Sequence, residues 1–89
     1  MMQMTAHANT RAAQRAVPQD VVETIYAYGR PSHSRGALSI QMDREGISLA
    51  ASELGKKRAS RLERYRGVYL ITEGDHIITV ARPKRRQRR

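Results

Sequence analysis

Residues 68–81 constrain this chain most. Val68-Tyr69-Leu70-Ile71-Thr72 is apolar and rich in β-branched residues, which predicts a strand, and His76 to Ala81 predicts a second through Ile77, Ile78, Thr79 and Val80. Glu73-Gly74-Asp75 is a short Gly-containing connection between them, so the pair reads as an antiparallel hairpin. Pro83 stops the second strand. The rest of the chain must supply the layer that packs on this hairpin.

Upstream, Thr5 to Ala16 is rich in Ala, Gln and Arg, with Thr5 placed as a cap, and predicts a helix. Val17-Pro18 breaks it, because proline disfavours helix in the residue before it and suits the first turn of the next. Asp20 and Glu23 then sit where a helix dipole favours negative charge, and Val21, Val22, Ile25, Tyr26 and Tyr28 form an apolar stripe ending at Gly29. A second helix over 18–28 follows. Arg30-Pro31-Ser32 reads as a turn, and Ala37 to Met42 alternates as a half-buried strand. Asp43-Arg44-Glu45-Gly46 closes that strand, either as a hairpin turn or as a helix start. Helix over 47–64 is the favoured reading, with Gly55 its weak point and Gly67 its end.

These elements predict an α+β domain over residues 5–82. Two N-terminal helices and a helix inserted after the first strand pack on a small antiparallel sheet of about three strands. Residues 1–4 read as a frayed terminus and residues 83–89 as a disordered basic tail. Tyr26, Tyr65 and Tyr69 fall on the expected core faces.

Charge is segregated. Residues 1–55 carry five basic and five acidic side chains, whereas residues 56–89 carry twelve basic and three acidic, so the whole net charge of +9 lies in the last third. Arg82 to Arg89 alone holds six basic groups in eight residues. Like-charged blocks of this kind are commonly interaction tails, and affinity for a polyanion follows without sequence specificity. Lys56, Lys57, Arg58 and Arg61, together with Lys84, Arg85, Arg86, Arg88 and Arg89, are the candidate nucleic-acid contacts. There is no cysteine, hence no disulfide framework and no thiolate metal site. No apolar run nears the ~20 residues of a membrane span. With no basic start and apolar stretch of a secretory signal, a cytoplasmic protein is expected.

Chemistry has few candidates. His7, His33 and His76 lack the spacing of a zinc motif, and the acids do not cluster round them, so no metal or other cofactor is expected. His7, Arg11 and Arg15 recur at i, i+4 and i+8, near one helical face. Two guanidiniums and an imidazole suit a phosphodiester, although Arg is also an ordinary residue on a solvated Ala-rich helix. His33-Ser34-Arg35-Gly36-Ala37 sits just before a strand, where a loop on a rigid scaffold carries sites readily. His33 would act there as general base and Arg35 as an anion clamp; an ordinary polar loop is the alternative.

The spacing His7-(x)3-Arg11-(x)3-Arg15, the helix with Val21-Val22 ending at Gly29, His33-Ser34-Arg35-Gly36-Ala37, the strand to Asp43, Leu62, and Ile77-Ile78-Thr79-Val80 together resemble a family of small bacterial and phage proteins of unknown function, DUF4258. The resemblance spans residues 5–82 on short, degenerate motifs. It implies a fold similar to the barnase–EndoU–colicin–RelE-like ribonuclease toxins, which cleave RNA without a metal. There the ribose 2′-OH attacks the adjacent phosphate with the help of a base, an acid and cationic clamps. His7, Arg11, Arg15, His33, Arg35 and Thr79 match family positions. Relatives place a His just after the last strand where this chain has Arg82, which removes an acid/base group and keeps phosphate affinity.

Two classes of function therefore stay open. One is a toxin-type, metal-independent endoribonuclease, with His7 or His33 as acid or base, Arg15, Arg35 and Arg82 as clamps, and an acidic antitoxin as partner. The other is a non-catalytic nucleic-acid-binding protein or accessory interaction module that uses its basic tail. RNA is the expected nucleic acid in both, and oligomeric state is not readable.

Overall fold

The computed structural model describes residues 2–34 and 36–83. Among these, the chain runs β1 (Gln3–Met4), α1 (Ala6–Gln14), α2 (Gln19–Tyr28), β2 (Arg30–Ser34), β3 (Ala37–Gln41), α3 (Arg44–Leu54), α4 (Lys56–Leu62), a 3₁₀ turn (Glu63–Tyr65), β4 (Tyr69–Glu73) and β5 (His76–Ala81). The class is α+β, as expected, but the sheet has five strands rather than three, in the order β1-β5-β4-β3-β2. It is mixed: β1 runs parallel to β5, and the other neighbours are antiparallel.

The two added strands correct the sequence-based expectation. Arg30-Pro31-Ser32 is no turn and His33 no loop residue; all lie in β2, an edge strand paired with β3 from Arg30↔Gln41 to Ser34↔Ala37. Proline is compatible with that position because an edge strand leaves one row of backbone groups unpaired. Gln3 and Met4 pair with His76 and Ile77 where a frayed terminus was expected, and the chain opens on a strand rather than a helix.

The helices begin where their caps dictate. The Thr5 hydroxyl accepts from the Ala8 N–H at 3.1 Å, and the Asp43 carboxylate accepts from the Gly46 N–H at 2.9 Å, starting α3 earlier than expected. The helix expected over 47–64 is two helices and a 3₁₀ turn. Gly55 stands at φ +99°, ψ 155°, a backbone region essentially closed to residues with a Cβ, and the chain changes direction there. Helix α1 ends on a Schellman motif. The Val17 N–H reaches the Ala12 carbonyl and the Ala16 N–H that of Ala13, with Ala16 at φ +57°.

One face of the sheet carries the core. Ile40, Leu70, Val80 and Ile77 are buried under Ala8, Ala12, Val21, Val22, Ile25, Ile47, Ala50, Ala59 and Leu62 of the helices. Thr72 is buried among them and its hydroxyl donates to the Leu38 carbonyl at 3.4 Å. Among the described residues, the opposite face has no such layer. Strand alternation puts Ser39, Ile71 and Thr79 in one row there, and Gln41, Tyr69 and Ala81 in the next. None of these six residues joins the core cluster. Tyr69 therefore lies on the open face, contrary to expectation, while Tyr26 and Tyr65 pack against the core as expected. Among the described residues, no helix is long and apolar enough to cross a membrane.

Candidate nucleic-acid interface

Next to the edge strand β1, the open face is carried by β5, along which α1 lies. The register between β4 and β5 shifts here: Ile71 pairs with Thr79 and Thr72 with Ile77, which leaves Ile78 as an extra residue. Such a bulge bends a strand and redirects side chains. Ile78 and Thr79 consequently both line one shallow hollow, together with Thr5, His7 and Ile71. The hollow is apolar on its floor and polar at the wall formed by the start of α1.

His7 stands on the first turn of α1 and is exposed. The Arg11 Nε–H donates to His7 Nε2 at 3.4 Å and Arg11 Nη1 donates to Gln14 Oε1 at 3.3 Å. Arg15 follows at the C-terminal cap of α1, exposed and without a side-chain partner among the described residues. The imidazole of His7 thus reaches the open sheet face at the hollow, and Arg11 and Arg15 continue its row along α1 as a rim of basic side chains.

The other sequence candidates separate from this rim. Thr79 joins His7 in the hollow. His33 does not: it sits on β2, three strands from β5, or about 14 Å at the usual strand spacing. Its register partner Leu38 belongs to the core-facing row with Thr72 and Ile77, so His33 and Thr79 project to opposite faces. Arg82 also stands apart. Its guanidinium lies 5.5 Å from the Tyr65 ring centroid and donates to the Arg64 carbonyl at 3.3 Å. Arg35, Lys84, Arg85, Arg86, Arg88 and Arg89 lie outside the described residues.

The second basic group is on the helical side. Lys56, Lys57 and Arg61 line a hollow on α4 with Ser60 and Arg64, whereas Arg58 is not among its lining residues. Arg61 is tied to Asp20 at 2.8 Å, and the Asp20 carboxyl is held below the ordinary carboxylate range chiefly by that hydrogen bond. Among the described residues, no group of three or more His, Asp or Glu side chains converges as a metal site.

Sequence reasoning missed Tyr69 and Ile71 as surface residues. The signal was available in the i, i+2 alternation of Tyr69 and Ile71 against Leu70 and Thr72, but a strand apolar on both sides does not declare which side is covered. In comparison with known proteins, no family model matches the chain, no curated protein matches it, and no solved structure matches it.

Proposed function

We propose that this protein binds RNA across the uncovered sheet face, with the His7, Arg11 and Arg15 rim holding backbone phosphates. The observation that carries this reading is the placement of Tyr69, Ile71 and Thr79 on a helix-free face that meets His7 at its edge. Single-stranded RNA suits such a surface, because splayed bases stack on aromatic and aliphatic side chains of a sheet while cations track the backbone. Ser39, Gln41 and Thr79 supply hydrogen-bonding groups between the apolar ones. Action in the cytoplasm follows from this reading.

Metal-independent cleavage of the toxin type is the second reading, favoured by the imidazole of His7 beside Arg11 in the same hollow as Thr79. His7 Nε2, released from Arg11 as that guanidinium turns to the phosphate, would take the proton of the ribose 2′-OH as its oxygen attacks phosphorus, the 5′-oxygen would leave, and Arg11 and Arg15 would hold the negative charge of the phosphorane. Binding comes first because cleavage also needs a proton donor, and among the described residues His7 is the only titratable one lining the hollow. An acidic antitoxin, in this second reading, would cover the same cationic rim.

Fluorescence anisotropy with a labelled single-stranded RNA tests the proposal. Stacking of one base contributes ~1–3 kcal/mol, so Tyr69→Ala is expected to weaken binding by roughly 5- to 150-fold. Unchanged affinity in both Tyr69→Ala and Arg11→Gln would refute the sheet face as the binding surface. RNA cleavage that persists in chelator and disappears in His7→Ala would promote the second reading above the first.

A further inference from the structure

Among the described residues, most cations of helix α4 and its 3₁₀ extension have no acidic partner. Lys56, Lys57, Arg61 and Arg64 line one hollow with Ser60, and every one of them is exposed. Lys57, Arg61 and Arg64 follow at i, i+4 and i+7, which sets them along one side of the helix and its 3₁₀ extension. The acids nearby are already engaged: Asp20 with Arg61 at 2.8 Å and Glu63 with Arg66 at 2.7 Å. Among the described residues, Lys56, Lys57 and Arg64 have no acidic partner. The tether to Asp20 has a further consequence. It uses one nitrogen of Arg61, holds the guanidinium over the hollow, and leaves its remaining N–H donors for a ligand.

We infer that the α4 hollow is a second anchor for nucleic-acid backbone, separate from the sheet face and indifferent to sequence. Lys56, Lys57, Arg61 and Arg64 contact successive phosphates, and the Ser60 hydroxyl donates to a phosphate oxygen between them. The distance from Lys57 to Arg64 is about 10 Å at helical rise, enough for these side chains to reach more than one phosphate of a strand. Arg82, held over Tyr65 beside Arg64, extends the positive surface. Among the described residues no base-stacking aromatic lines this hollow, in contrast to the sheet face, so its contribution is electrostatic and its signature is salt dependence.

The inference rests on the RNA reading for the identity of the ligand, but not on the sheet face for the place of binding. The test is the affinity of the full chain for a labelled oligouridylate across a series of salt concentrations. Three proteins are compared: wild type, the double variant Lys57→Gln with Arg64→Gln, and Tyr69→Ala. All changes are at non-core positions, and circular dichroism checks that each variant is folded. Loss of two phosphate contacts is expected to reduce the slope of log affinity against log salt by roughly 1.4, with about tenfold weaker binding near 0.1 M salt. Tyr69→Ala is expected to lower affinity while the slope stays as in wild type. An unchanged slope in the double variant overturns the α4 anchor, whatever Tyr69→Ala does. A reduced slope in the double variant beside an inert Tyr69→Ala upholds the anchor and sinks the sheet-face reading instead. Vesicles of anionic phospholipid that bind as tightly as the oligonucleotide, with the same loss in the double variant, would overturn nucleic acid as the occupant.

Discussion

The two faces of the sheet are made by the same strands and differ in what covers them. On the inner face Leu70 and Val80 pair across β4 and β5 beneath α1 and α2, and both are essentially without solvent exposure. One residue along, on the outer face, Ile71 pairs with Thr79 and both stay half-buried. Composition does not account for the difference, since isoleucine is no less apolar than leucine. The helical layer does. It draws its apolar atoms to one side and leaves the other as a surface of mixed apolar and hydroxyl groups, which suits reversible contact with bases better than permanent burial.

The largest expected effect compares neighbours on the two faces. Leu70→Ala removes fully buried volume and is expected to cost ~2–5 kcal/mol in urea denaturation. Ile71→Ala on the open face should cost less than about 1 kcal/mol. Equal losses would mean that something covers the outer face in solution, such as a second copy of the chain.

Next comes the layer itself. Gly46 lets the start of α3 approach the end of α2, and a Cβ there would stand 2.7 Å from the Tyr28 carbonyl oxygen. Gly46→Ala is expected to destabilise by ~1–3 kcal/mol, as overpacking against backbone does. A thermal shift within error of wild type would show that the two helices separate freely and that the layer is looser than its packing indicates.

Asp43 fastens the same layer at the N-terminus of α3. The Gly46 N–H hydrogen bond first, and Arg30 after it, hold its carboxyl below the ordinary range against the opposing effect of burial. The sign follows. A carboxyl whose folded-state value is depressed contributes stability that is complete above its unfolded value, about 3.9, and is lost as pH falls through its lower folded value. Stability should therefore be flat near neutrality and decline on acidification below about pH 4. Asp43→Ala should lower stability at pH 7 by ~1 kcal/mol, the usual worth of an N-cap, and make the acid decline shallower. An unaltered acid limb would assign that decline to other carboxyls.

The smallest effect is a gain. Ala16 ends α1 in a left-handed conformation at φ +57°, which favours glycine, and Ala16→Gly is expected to stabilise by up to ~1 kcal/mol. A loss in its place would show that the flexibility glycine adds to the unfolded chain outweighs the strain it relieves.

Much of this was legible residue by residue. Thr5 capped α1, Val17-Pro18 ended it, and Gly29 closed α2 as read from the sequence. The hairpin of β4 and β5 was legible too. Each of these signals is local, written in residues a few positions apart. Strand β2 was not legible, because Arg30-Pro31-Ser32-His33-Ser34 has no apolar alternation and becomes a strand only by pairing with β3. The helix over 47–64 was half right, since Gly55 marked a weak point without announcing that it adopts a conformation no helix contains. His7 and Thr79 were each singled out, yet their meeting depends on the bulge at Ile78 and on α1 lying along β5.

By itself, the sequence determined where α1 and α2 are capped and stopped, which residues are apolar enough to be buried, and that the positive charge lies in the last third. Caps, prolines, periodicity and charge act over a few residues. The tertiary structure alone decided that the sheet has five strands, that Tyr69 faces outward, and that His7 joins Thr79 while His33 stands on the other side. Those outcomes depend on backbone pairing between segments up to about seventy residues apart, such as Gln3 with His76, and on which face the helices cover. No local pattern encodes either, because a strand with apolar residues on both sides carries the same periodicity whichever side is buried.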